Sequence, residues 1–128
     1  TGFAGLSREN QRFFAACLVE GEVYNGGFDQ YFYNSSADYF PYAIEGLTEM
    51  GAVESCRLLI RAKELYFGSG PVPATQASRA DYLRATAAQE EERSNKAEEI
   101  DRLFWKDPDG FQVRAAKYAE LHALYSGF

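Results

Sequence analysis

The sequence lacks lysine and arginine between Phe13 and Cys56, although this stretch contains seven acidic residues. These acids are Glu20, Glu22, Asp29, Asp38, Glu45, Glu49 and Glu54. A long segment of one charge sign creates a field that its neighbours in the sequence do not cancel. Because such a field repels nucleic acid, we predict no direct nucleic-acid binding and favour a basic protein as partner.

Few residues of this chain suit metal binding or nucleophilic catalysis. The two cysteines, Cys17 and Cys56, belong to no metal-ligand spacing, and His122 is the only histidine. We expect Cys17 to be a buried free thiol and leave its pairing with Cys56 open. No apolar run approaches the roughly 20 residues that span a bilayer, and no signal peptide is recognised. We therefore predict a non-enzymatic cytoplasmic protein with no cofactor, no metal site and no membrane partner.

The excess negative charge lies entirely in the first part of the chain. Residues 1–54 contain eight acids and two bases, whereas residues 55–128 contain eleven of each, which gives the net charge of −6. Hydrophobic residues make up 46% and aromatic residues 16% of the chain, so a disordered acidic tail is excluded. The length suits a single helical domain over residues 1–128.

Helical periodicity predicts an all-α fold class, a compact bundle-like domain of about six helices. Ser7 is placed to cap the first helix, and Asn25-Gly26-Gly27 is placed to end it. Asp38 is the predicted N-cap of a later helix, because Pro41 fits only a first helical turn. The predicted helices span residues 7–24, 28–33, 39–50, 52–66, 76–105 and 111–125. The polar stretch 89–96 is either an exposed helix centre or a break.

A second acidic cluster follows in the C-terminal half, interleaved with basic residues. It comprises Glu90, Glu91, Glu92, Glu98, Glu99 and Asp101 together with Arg93, Lys96 and Arg102. Glu92 stands four residues before Lys96, and Glu98 four before Arg102, which is the stabilising order on a helix. This pattern predicts a salt-bridged, solvated helix rather than a binding face.

The segment 22–35 reads Glu-Val-Tyr-Asn-Gly-Gly-Phe-Asp-Gln-Tyr-Phe-Tyr-Asn-Ser. It resembles the signature of a bacterial family of DNA-mimic-like proteins, whose namesake is a neisserial DNA mimic and whose pattern is Asn-Gly-Gly-Phe-x-Gln-[Phe/Tyr]-Phe-x-Asn. The resemblance implies an all-helical cytoplasmic domain and, as in the namesake, an acidic surface that occupies the DNA-binding face of a transcription factor. The motif positions, which we interpret as structural, are Asn25, Gly26, Gly27, Phe28, Gln30, Phe32 and Asn34.

We therefore predict an acidic protein-binding domain, in its most specific form a DNA mimic, with the seven acids as candidate contacts. Carboxylates on adjacent helix turns lie roughly 5–6 Å apart and could engage a row of lysines and arginines. One alternative is a regulatory or immunity-type interaction domain that uses exposed tyrosines. Another is a polar-ligand site at Asn25, Gln30 and Asn34, whose amides could instead satisfy backbone groups of the turn. A homodimer is left open.

Overall fold

The computed structural model describes residues 2–124, which contain six α-helices and no strand. The helices are α1 (Arg8–Tyr33), α2 (Phe40–Glu49), α3 (Val53–Phe67), α4 (Gln76–Ala85), α5 (Glu90–Trp105) and α6 (Phe111–Leu121). Short 3₁₀ segments, Ser35–Tyr39 and Ala87–Gln89, join α1 to α2 and α4 to α5. The predicted all-α fold class is confirmed.

Helix α1 begins and breaks where local chemistry predicts. The backbone N–H of Asn10 donates to Ser7 Oγ at 3.2 Å, so Ser7 caps α1. Gly26 and Gly27 have non-helical backbone angles, and Gly27 has a φ of 77°. The two helices predicted over 7–24 and 28–33 are therefore two segments of α1 with a break between them.

Other predicted boundaries shift. The break between α4 and α5 lies at residues 86–89, so the polar stretch 89–96 mostly forms the first turns of α5. Helix α6 ends at Leu121, and the predicted end near Tyr125 lies outside the described residues. The prediction that Asp38 caps α2 is wrong, because Tyr39 occupies the N-cap position without a side-chain cap bond. Asp38 instead accepts a hydrogen bond from the buried Arg79, and such charge-assisted bonds are stronger than neutral ones.

Helix α1 is the central element and packs against α2, α4, α5 and α6. Its second segment contributes Phe28, Tyr31 and Phe32, each fully buried. The Phe32 ring packs against those of Tyr66 and Phe67 on α3 at centroid distances of 5.1 and 5.2 Å. The aromatic richness of residues 24–42 is thus largely used for the core, where each ring buries a large apolar area.

Helices α1 and α2 run antiparallel in close contact. The start of α1 lies beside the end of α2, where Arg12 pairs with Glu45, and the Phe32 and Phe40 rings meet at the other end. A Cβ at Gly46 would lie 2.3 Å from the backbone oxygen of Arg12, so only glycine permits this approach. The packing brings the arginines of α1 onto the acids of α2.

Candidate functional site

The break in α1 leaves backbone groups that residues of α5 bind. In a continuous helix the N–H of Phe28 would donate to the carbonyl of Tyr24. It donates instead to Asp101 Oδ1 at 2.9 Å. On the other side of the break, Trp105 Nε1–H donates to the carbonyl of Val23 at 2.7 Å. Asp101 and Trp105 stand one helical turn apart on α5, so a single helix face holds both sides of the break.

Gly27 is required at this break for two reasons. Its positive φ is a backbone conformation that residues other than glycine adopt only at a cost in free energy. In addition, a Cβ there would lie 2.4 Å from Asp101 Oδ2. Burial raises the pKa of Asp101, and the charges of Asp29 and Glu98 add to this, while the Phe28 N–H opposes it.

Two polar side chains of the motif bind the carboxylate of Glu22. Gln30 Nε2–H and Asn34 Nδ2–H donate to the two oxygens of Glu22, at 2.8 and 2.9 Å. Asn25 Nδ2–H donates to Gln30 Oε1 at 3.3 Å. Gln30 and Asn34 therefore bind the Glu22 side chain, and Asn25 binds Gln30, rather than backbone groups. The contacts support the interpretation that the motif holds the turn, because amides bonded within the chain are less available to a ligand.

Four of the seven predicted contact acids form ion pairs with arginine. Glu45 and Glu49 both pair with Arg12, and Glu49 also pairs with Arg8. Glu49 further accepts a hydrogen bond from the Tyr118 hydroxyl at 2.8 Å. Burial acts to raise the pKa of Glu49, but the hydrogen bonds from Tyr118 and Arg8 outweigh it, and the pKa is lowered.

Asp38 has the most deeply buried partner of the four. The Arg79 side chain is fully buried, and its terminal nitrogen donates to Asp38 Oδ1 at 2.6 Å. The same guanidinium donates to the backbone oxygens of Phe32, Asn34 and Pro73 at 2.9–3.1 Å. The carbonyls at the end of α1 lack helical partners. Arg79 supplies hydrogen-bond donors to them and at the same time neutralises Asp38.

The fourth paired acid lies at the start of α3. Glu54 forms an ion pair with Arg57 within the first turn, and both side chains are largely exposed. The N-terminus of α3 is capped by Asp109, whose two oxygens accept the backbone N–H groups of Glu54 and Ser55 at 3.3 and 2.6 Å. This capping role of Asp109 has no signal in the local sequence.

The other three acids have neutral partners among the described residues. Glu20 accepts a hydrogen bond from Gln112 Nε2 at 2.6 Å, and Asp29 accepts one from the Tyr66 hydroxyl at 3.0 Å. Glu22 is bound by the two motif amides described above. Burial raises the pKa of Glu20, and the Gln112 bond opposes this increase. These three side chains thus carry negative charge that no described cation neutralises.

The structure therefore divides the seven acids into an arginine-paired group and a group with neutral partners. Among the described residues, Glu45 and Glu49 are brought together through a shared arginine. Glu20 lines a shallow cleft of about 260 Å³ with Tyr24, Asp107 and Gln112. Asp107, in the turn after α5, was not among the sequence-based candidates, because only the packing of α5 on α1 places it beside Glu20.

Comparison with known proteins gives the family. The family model described as DMP19-like protein matches residues 4–122, which include all six helices. The chain belongs to the DMP19-like protein family. This confirms the resemblance to DNA-mimic-like proteins that the sequence suggested. Comparisons with curated proteins and with solved structures find no match.

The described residues of this DMP19-like protein contain no group of three or more His, Cys, Asp or Glu that could hold a metal ion. His122 is exposed at the end of α6, and its ring packs on that of Tyr118 at 4.4 Å. Cys17 and Cys56 are both free, and Cys17 is only partly buried. Burial raises the pKa of Cys17 to about 12, so it remains a thiol rather than a nucleophilic thiolate near neutral pH.

None of the helices within residues 2–124 combines the length and apolar character that a bilayer span requires.

Proposed function

We propose that this DMP19-like protein is a non-enzymatic, acidic protein-binding domain that occupies the DNA-binding face of a basic partner such as a transcription factor. Family membership supports the DNA-mimic class. The observation that carries the proposal is that Glu20, Glu22 and Asp29 keep carboxylates that no described lysine or arginine neutralises. DNA-binding proteins present rows of such cations for phosphate, and carboxylates can take the place of phosphates.

The neutral partners of these acids favour binding. Because Gln112, Tyr66 and the motif amides hold the carboxylates by hydrogen bonds, their side-chain positions are restricted before the partner arrives. Less conformational entropy is then lost on association. Their charge is preserved at the same time, since amides and hydroxyls are neutral donors.

The arginine-paired acids are weaker candidates, in a defined order. Glu45 and Glu54 are about half exposed, so exchange of their arginine for a partner cation costs little. Glu49 is less exposed and is held by both Arg8 and Tyr118, so it follows them. Asp38 pairs with the buried Arg79, and breaking that pair would leave an uncompensated buried charge. We therefore place Asp38 last among the seven proposed contacts.

We further propose a cytoplasmic location. We also propose no direct binding of nucleic acid or membrane, because the net charge of −6 opposes contact with their phosphate groups. A homodimer remains compatible with this function.

A second candidate function has one observation in its favour. Tyr24, Tyr33, Tyr82 and Trp105 are exposed by 37–44%. Exposed aromatic rings are enriched at protein interfaces, so they fit a regulatory or immunity-type interaction domain. Binding through rings depends little on salt, whereas binding through carboxylates weakens steeply as salt rises.

The test is affinity capture from a nuclease-treated bacterial lysate at low and high salt, with elution by duplex DNA. We expect DNA-binding proteins in the DNA eluate at low salt and little capture at high salt. The Glu20→Gln/Asp29→Asn variant should capture less, because it removes two charges and keeps both hydrogen-bond acceptors. Recovery of no basic DNA-binding protein at low salt contradicts the proposal, and salt-independent capture supports the aromatic alternative.

A further inference from the structure

Two exposed aromatic rings are fixed where the end of α5 meets the first segment of α1. Trp105 and Tyr24 are each 44% exposed. Trp105 is held by its bond to the Val23 carbonyl at 2.7 Å, and the Tyr24 hydroxyl donates to the Phe104 carbonyl at 3.4 Å. The Tyr24 ring also packs edge-on against Phe104 at 5.8 Å. Rings held in this way present a rigid surface, which lowers the entropy lost on binding.

Two carboxylates share the cleft with Tyr24. Glu20 precedes Tyr24 by one helical turn, and Asp107 follows Trp105 by two residues. Asp107 Oδ1 accepts the backbone N–H of Phe111 at 3.0 Å, while Glu20 is bound by Gln112. Both side chains have only neutral hydrogen-bond donors as partners among the described residues.

The nearby basic residues of the chain form no ion pair with Glu20 or Asp107 within residues 2–124. Lys106 lies between Trp105 and Asp107 in the sequence but forms no ion pair within residues 2–124, and Arg102 pairs with Glu98. Partial burial raises the pKa of Glu20, and the charge of Asp107 adds to this. A cation entering the cleft would relieve this repulsion between the carboxylates.

We propose that the cleft formed by Glu20, Tyr24, Asp107 and Gln112 receives an arginine side chain of the basic protein partner. The inference rests on the proposed function and adds a specific contact to it. The guanidinium group is planar, stacks on aromatic rings and binds carboxylates in a bidentate manner. Lysine lacks this planar geometry, so the cleft selects arginine over lysine.

The experiment uses the natural tryptophan as reporter. Trp105 is the only tryptophan of the chain and lies two residues before Asp107, so its fluorescence reports on the end of α5. Oligoarginine and oligolysine peptides of equal length are titrated into the protein at about 50 mM NaCl, where exposed charges are weakly screened. We expect a saturable fluorescence change with oligoarginine and weaker binding of oligolysine.

Two matched double variants separate the cleft from general charge. Glu20→Gln/Asp107→Asn removes two charges and keeps the hydrogen-bond acceptors, and it should weaken oligoarginine binding by about fivefold or more. Glu90→Gln/Glu91→Gln removes two charges at the start of α5, where neither side chain has an ion pair among the described residues. It should change the affinity by less than about twofold.

A ring variant tests the aromatic part of the cleft. Tyr24→Leu should reduce the preference for oligoarginine over oligolysine, and Tyr24→Phe should retain it because the ring remains. Thermal unfolding of every variant confirms that the fold is intact.

The outcomes separate the inference from the proposed function. Equal weakening by the two double variants, or equal affinity for the two peptides, overturns the arginine cleft and leaves the proposed function standing. Failure of the unaltered protein to bind either peptide at low salt overturns both.

Discussion

The carboxylate of Asp101 accepts the backbone N–H of Phe28 at 2.9 Å, which joins α5 to the glycine turn across 73 residues of sequence. A carboxylate at a helix N-terminus satisfies a free N–H and interacts favourably with the helix dipole. The second segment of α1, which carries Phe28, Tyr31 and Phe32 into the core, is therefore anchored by a residue of another helix.

Replacing Gly27 tests this anchor. Gly27→Ala places a Cβ against Asp101 at a positive φ, so we expect a loss of about 2–4 kcal/mol in the free energy of unfolding. Gly21→Ala is the matched control, because Gly21 lies in the helical part of α1 with open space around it. That variant should gain about 0.5–1 kcal/mol. Urea unfolding measures both, and equal effects would contradict the role of the turn.

Arg79 is expected to be essential to the fold. Arg79→Met leaves Asp38 and three backbone carbonyls without their buried partner, and it should cost about 3–5 kcal/mol. Arg84→Met on the same helix removes an exposed pair with Asp81 and should cost less than about 0.5 kcal/mol. The two variants are compared by urea unfolding, and a small effect at Arg79 would show that other donors can replace it.

Two buried tyrosines should respond oppositely to loss of the hydroxyl. The Tyr31 hydroxyl is buried and has no hydrogen-bond partner among the described residues, whereas that of Tyr66 donates to Asp29. Tyr31→Phe should therefore be neutral or stabilising, by up to about 1 kcal/mol, because an unsatisfied polar group is removed. Tyr66→Phe should cost about 1 kcal/mol. Thermal unfolding measures both changes. Destabilisation by Tyr31→Phe would indicate that the Tyr31 hydroxyl has a hydrogen-bond partner.

The pH dependence of stability should differ in sign between two glutamates. The pKa of Glu49 is lowered in the fold, so its contribution is present above the unfolded value of 4.5 and lost as the pH falls through the folded pKa. The Glu49→Gln variant should therefore be destabilised at pH 7, with a difference that shrinks in acid.

Glu20 provides the contrasting case. Its pKa is raised in the fold, so its contribution is present below 4.5 and lost as the pH rises through the folded pKa. Glu20→Gln should accordingly gain stability relative to the unaltered protein between about pH 4 and pH 7. Urea unfolding from about pH 3 to pH 7 covers the windows of both variants. Parallel pH profiles would contradict the opposite shifts.

The sequence predicts those parts of the fold that depend on nearby residues. Ser7 capping α1, the break at Gly26-Gly27 and the Glu92–Lys96 and Glu98–Arg102 pairs all follow from spacings of a few residues. The cap and the two ion pairs each lie within about one helical turn, and the break follows from the backbone freedom of glycine. Ser7 and the break at Gly26-Gly27 could therefore be assigned before the packing of the helices was known.

Partners distant in sequence could not be predicted in the same way. Asp38 suited an N-cap locally, but the buried Arg79, 41 residues away, binds it instead. The basic-free segment also gave no indication that Arg8 and Arg12 neutralise Glu45 and Glu49, because that contact arises from the antiparallel packing of α1 and α2. A continuous run of one charge sign in sequence is therefore not a continuous charge on the surface.

Displacement of DNA tests the central claim most directly. A DNA-binding protein recovered by affinity capture is mixed with a fluorescein-labelled duplex, and the DMP19-like protein is added while anisotropy is followed. We expect the anisotropy to fall to that of free DNA, and the Glu20→Gln/Asp29→Asn variant to require a higher concentration. Formation of a ternary complex, or an unchanged anisotropy at saturating protein, would contradict occupation of the DNA-binding face.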